Sequence, residues 1–201
     1  MLLLLLLLGN SSGNYAAQSK QKTSGAPTGT LQKMIVENGS VTMDLDLSRL
    51  NGISFAPQKA VTLQFAVAAN SFFTILVFND LLRGPEQGSM ALLPQHSMVL
   101  PSPLKASINQ LVVEKLPASE AFDIAVRDAK TGFTFFNVEG HQYDYDAKAQ
   151  SLSIQGGRLL ISKELANALG RPSDAGAVAG GISIGATMQP SRSHSSTKRA
   201  M

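Results

Sequence analysis

Residues 140–146 read Gly-His-Gln-Tyr-Asp-Tyr-Asp, so one histidine, two tyrosines and two aspartates fall within seven positions. Such side chains can ligate a metal, stack on a sugar or move protons. Whether they can act together depends on the element that carries them. In a strand, side chains alternate, so His141, Tyr143 and Tyr145 share one face while Gln142, Asp144 and Asp146 share the other. The alternation separates the histidine from the aspartates and argues against one metal held by all of them. Asp146 opens "DAKAQS", which echoes the earlier "DAKTG" at 128–132. In both, an aspartate begins a reversal whose backbone N–H groups its carboxylate can cap. The segment therefore reads as a hairpin strand. Its candidate ligand face is His141, Tyr143 and Tyr145, provided that face is open to solvent.

Two D-x-D pairs, Asp44/Asp46 and Asp144/Asp146, could also do chemistry. Residues i and i+2 of a strand stand about 6.6–7 Å apart on one face. That lies within the separation of about 6.5–9.5 Å used by inverting glycosidases. Those carboxylates normally face each other across a cleft from different strands, so a solvated face is the simpler reading. Calcium would need oxygens from several segments to converge. The pattern G-x-S-x-G occurs at 9–13 and 181–185. A nucleophile elbow needs strand, sharp turn and helix, followed by an acid and a histidine. Ser11 lies in the leader, and no Asp or Glu follows Ser183. No phosphate loop, dinucleotide fingerprint or H-E-x-x-H is present. The sequence thus assigns no catalytic, cofactor-binding or metal-ligating residue.

The chain has 201 residues and no cysteine, which excludes a disulfide frame, thiolate zinc and a cysteine nucleophile. Of 17 basic residues, Lys20, Lys22, Arg192, Lys198 and Arg199 lie at the two ends, leaving 12 against 14 acids in between. A phosphate-binding face needs clustered Lys and Arg. The body has no such cluster, so nucleic acid is not an expected partner.

Residues 1–29 read as a leader remnant and flexible linker. Leu2–Leu8 matches the apolar core of a signal peptide, although the basic residues that normally precede it are missing. The run is too short to span a bilayer, which takes about 20 apolar residues. Residues 30–188 read as a single β-domain, and residues 189–201, Ser-rich and basic, as a disordered tail.

Within the domain, "VTMDLDL" alternates strictly, with Val41, Met43, Leu45 and Leu47 inward. "AVTLQFAVA" does the same with Val61, Leu63, Phe65 and Val67. "FFTILVFN" is apolar on both faces and reads as a central strand. "LLRGPEQGS" and the proline-bearing "QHSMVLPSPLKAS" read as loops. "INQLVVEKL" reads as a strand. "FDIAVRDAKTGFTFFNVEG" is a hairpin, with Asp128 starting the turn and Gly132 ending it. One short helix is signalled near 163–169, capped by Ser162, with Glu164 in its first turn and Gly170 and Pro172 closing it. "AVAGGISIGATM" is a final glycine-softened strand. Nine to eleven strands and one short helix predict an all-β fold: an antiparallel sandwich or jelly roll, or a partly closed barrel.

The run "YDYDAKAQSLSIQGGRLLISKELANALGRPSDAGAVAGGISIGATMQP" resembles a segment near the end of the β-rich domain in a group of exported bacterial proteins without assigned chemistry. Tyr145, Asp146, Leu152, Ile154, Gly156, Gly157, Leu159–Ser162, Leu169–Pro172, Gly176 and Ile182–Ile184 carry the likeness. It implies export and a β fold but no catalytic residue. The combined expectation is a non-catalytic, extracytoplasmic β-domain that binds a glycan or a protein surface or serves a structural role, with no cofactor. A carboxylate-dependent hydrolase acting on glycans is the alternative, and a cytoplasmic location is the alternative to export.

Overall fold

A computed structural model of the chain describes residues 29–52, 60–96, 100 and 102–191. The leader, nearly all of the linker and most of the C-terminal tail lie outside the described residues.

Eleven strands form one antiparallel sheet: β1 (Leu31–Asp46), β2 (Ala60–Val67), β3 (Thr74–Phe78), β4 (Leu81–Pro85), β5 (Gly88–Pro94), β6 (Leu111–Lys115), β7 (Ile124–Asp128), β8 (Thr134–Glu139), β9 (Gln142–Asp146), β10 (Ser151–Ile161) and β11 (Val178–Pro190). Eight of them close on themselves in the order β1-β2-β5-β6-β7-β8-β10-β11, and the β1–β11 pairing seals the ring. The fold is therefore all-β and a closed barrel. Two facing sheets of a sandwich do not appear in this pairing, because the first and last strands join instead of leaving free edges.

The predicted alternation builds the interior. Val41, Met43 and Leu45 of β1 and Leu63, Phe65 and Val67 of β2 are all buried. Val113, Val126, Phe136, Leu159 and Ile184 continue the same lining around the ring. An eight-stranded barrel is just wide enough for such side chains to fill it.

Three strands outlast the barrel. β1 pairs with β2 through Ser40–Asp46 and with β3 through Leu31–Ile35. β10 pairs with β8 through Arg158–Ile161 and with β9 through Ser151–Gln155. β11 runs between them along both halves. A shorter sheet, β4-β3-β1-β11-β10-β9, thus continues from one end of the barrel. Met34, Ile75, Val77, Ile154 and Met188 are among its buried residues.

The helices gather at the other end. α1 (Leu47–Leu50) follows β1, α2 (Ser102–Ser107) precedes β6 through a 3-10 turn at Ile108–Gln110, and α3 (Lys163–Ala168) follows β10. α3 has the signalled cap, with Ser162 Oγ accepting from Leu165 N at 2.9 Å. Arg171 donates to the carbonyl oxygens of Arg49 and Leu50 at 2.9 and 2.7 Å, tying α1 to the segment after α3.

Several elements differ from the sequence expectation. "LLRGP" is strand β4 rather than loop, because its partner β3 supplies the ladder despite Gly84 and Pro85. "SPLKAS" is helical. Pro103 sits in its first turn, where a missing N–H costs nothing. "INQ" is a 3-10 turn leading into β6, not part of the strand. "FFTILVFN" narrows to Thr74–Phe78 outside the ring, with Phe73 fully buried and Phe72 60% exposed. The hairpin β7–β8 is as expected: Asp128 Oδ1 accepts from Lys130 N and Thr131 N, and Gly132 has φ +74°.

Candidate functional site

Where the barrel ends and the short sheet begins, the chain must pass from β8 to β9, and Gly140 makes that corner with φ +72°. His141 follows immediately, and its side chain is only 9% exposed. Its Nε2 lies 3.2 Å from Asp123 Oδ2, which also accepts the Tyr143 hydroxyl at 2.6 Å. Asp123 Oδ1 lies 2.8 Å from Lys115 Nζ, which donates as well to the Leu116 carbonyl at 2.9 Å. The His141 and Tyr143 rings meet edge to face at 5.0 Å. Four polar side chains from β6, the β6–β7 loop, the β8–β9 corner and β9 thus converge at the barrel end away from the helices.

The electrostatics of this cluster act on Asp123 and Tyr143. Burial pushes the Asp123 carboxyl up, but hydrogen bonds from Lys115, Tyr143 and His141 and the Lys115 charge outweigh it and hold the group below its ordinary value. Burial, then the hydrogen bond to Asp123 and its negative charge, pushes the Tyr143 hydroxyl well above its ordinary value. Tyr143 therefore stays protonated and donates. Because a carboxylate only accepts, the His141 proton on this contact sits on Nε2. His141 Nδ1 is buried and has no hydrogen-bond partner among the described residues. The His141 and Lys115 side chains are 9% and 12% exposed, and the arrangement acts as a brace between barrel and sheet.

The structure brings His141 and Tyr143 together and leaves Tyr145 apart. Tyr145 is half-buried against the core of the short sheet. Burial first, then Asp80 and Asp146, raises its hydroxyl. The face is thus mostly turned inward. Sequence reasoning missed Asp123 and Lys115. The hairpin turn at 128–132 contains the signal for the first: extending the Ile124–Val138 register by one pair sets Asp123 beside Glu139, two residues from His141.

Asp44, Asp46 and Asp146 serve local structure. Asp44 accepts from the Thr62 hydroxyl at 2.5 Å, and Asp46 Oδ1 caps α1 through Arg49 N at 3.0 Å. Asp146 Oδ1 accepts from Lys148 N and Ala149 N at 2.8 and 3.1 Å. Asp44 pairs with Gly181, whereas Asp144 pairs with Ser153 and through it with Gly185. The two pairs are therefore offset by four residues of β11, on the order of 13 Å along the strand, and do not converge. Among the described residues no three His, Asp or Glu gather as a metal site. Among them, too, no helix is long and apolar enough to cross a membrane.

A well-formed concavity lies at the helical end instead. β5 accompanies β2 only from Val67 to Phe65, after which Gln95 N–H reaches the Gln64 carbonyl at 2.9 Å and the ladder ends. Among the described residues no strand pairs with the first residues of β2 on that side, and Lys105, Ile108 and Asn109 border the opening. The result is a cleft of about 490 Å³ in the barrel wall. Leu63, Phe65, Leu100 and Ile108 line its apolar part, while Gln64, Gln95, His96, Lys105 and Asn109 are the exposed polar residues around it. None of these described lining residues is a carboxylate, serine, threonine or cysteine. His96 was not singled out from the sequence, since a ladder that ends early has no local signature.

Comparison of the chain with family models, with curated proteins and with solved structures finds no match.

Proposed function

We propose that this barrel is a non-catalytic binding domain of an exported protein, and that its ligand is a small molecule held in the cleft between β2 and α2. The observation that carries the reading is the cleft itself. Its volume of about 490 Å³ falls within the range of roughly 300–1,000 Å³ usual for ligand sites. Its lining joins an apolar floor to several hydrogen-bonding groups, the combination that orients a small ligand. The leucine run Leu2–Leu8 supports export. A carboxylate-dependent glycan hydrolase draws no support from the two aspartate pairs, which do not converge and of which Asp46 caps a helix and Asp146 a turn. An extended glycan or protein surface stacking on His141 and Tyr143 is disfavoured by their burial.

Thermal unfolding of the full chain with a panel of small amphipathic compounds and oligosaccharides tests the proposal. A ligand at 100 times its Kd adds about 2.7 kcal/mol, which should raise Tm by roughly 5 °C or more. Ile108→Trp, which fills the cleft, should abolish that rise while leaving the unliganded Tm near the wild-type value. A ligand whose stabilisation survives Ile108→Trp binds elsewhere and defeats the proposal.

A further inference from the structure

The cleft's charge is one-sided. Its only titratable residues among the described lining are His96 and Lys105. Neither makes an ion pair among the described residues. Both are exposed at the rim, whereas Leu63 and Phe65, on the inward face of β2, are buried to 2% and 1% exposure. An unpaired ammonium above an apolar floor suits a molecule that is apolar at one end and anionic at the other. A neutral ligand would leave Lys105 unused, and a cation would meet it with like charge.

We infer that the cleft selects a small amphipathic anion, a compact apolar body carrying one carboxylate-like group, with Lys105 as the residue that recognises the charge and His96 as a second donor. The inference rests on the cleft being the binding site. The apolar body lies on Leu63, Phe65 and Ile108, and the anionic group stays at the rim, where Lys105 reaches it without leaving water entirely. Charge-assisted hydrogen bonds are the stronger class, so recognition of the anion should be visible against a neutral compound of the same length.

The test is calorimetric titration of the full chain with octanoate, 1-octanol and octylammonium at low and high salt. Octanoate should bind about tenfold tighter than 1-octanol, octylammonium weakest of the three, with the advantage shrinking at high salt. Lys105→Glu should reverse the preference between octanoate and octylammonium without lowering Tm. That last reading separates recognition from the other role open to Lys105, a favourable charge in the last turn of α2. Equal binding of octanoate and 1-octanol overturns the anion inference while leaving the cleft as a binding site. Failure of all three probes, with no stabilisation from any compound of the panel, overturns both. A fall in Tm on Lys105→Glu with the octanoate preference intact makes Lys105 structural and overturns its assigned role.

Discussion

Gly180→Ala should destabilise the protein by about 3–5 kcal/mol, or prevent folding altogether, because it strikes the seam that closes the barrel. Gly180 pairs with Leu45 across β1 and β11. A Cβ at this position would overlap the carbonyl oxygen of Asp44, and its φ of +158° is one that side chains rarely adopt. The obstacle is backbone rather than a side chain that can rotate away, so relief requires β1 and β11 to separate. Gly185, on the same strand and paired with Ser40, supplies the control. A Cβ there meets nothing within 4 Å. Gly185→Ala should change stability by less than about 1 kcal/mol. Urea unfolding of the two variants compares them directly. Equal midpoints would mean that the β1–β11 seam does not carry the barrel.

The second large effect belongs to Asp123. Removing its carboxylate in Asp123→Ala strands Lys115, whose side chain is 12% exposed, and takes the acceptor from Tyr143 and His141. Breaking a buried pair costs about 3–5 kcal/mol, but the Asp123 side chain is 42% exposed, so solvent screening brings the expected loss nearer 2 kcal/mol. The pH dependence has a definite sign. The folded carboxyl lies below its ordinary value, so the unfolded state binds the proton first. Its stabilisation is complete above the unfolded value, near 3.9, and is lost as pH falls through the lower folded value. Glu86 and Asp128 are lowered as well, Glu86 first by its hydrogen bond from Lys33 and Asp128 first by that from Ser107. They fade in the same acid range. The difference between wild type and Asp123→Asn isolates Asp123: it should be constant from about pH 5 to 7 and shrink below about pH 4. A difference that persists unchanged into acid would show that the carboxylate charge contributes nothing.

These two predictions rest on contacts between distant parts of the chain, and such contacts mark the limit of what the sequence shows. Alternation in β1 and β2, the turn aspartates Asp128 and Asp146, and the Ser162 cap are local. Each could be read from a few adjacent residues because the relevant physics acts over one turn or one strand. Closure of the barrel depends on Leu45 meeting Gly180, and nothing near either residue announces the other. The same holds for Lys115 and His141, which are joined by Asp123 across two hairpins. Prolines and glycines misled in the opposite direction. Pro103 begins a helix, and Gly84 and Pro85 complete a strand, because each sits where its missing N–H or side chain is not needed. The cleft was invisible in the sequence for a related reason, since it exists where β5 stops accompanying β2.

A small molecule bound at the helical end of the barrel, with the opposite end braced, leaves a distinct residue-level signature. Amide chemical-shift mapping of the full chain, titrated with the panel compound that most raises Tm, tests it most directly. Shifts should concentrate at Gln64, Gln95, His96, Lys105 and Asn109, with Asp123, His141 and Tyr143 unmoved. Shifts concentrated on His141, Tyr143 and Tyr145, or none at the cleft, would contradict it.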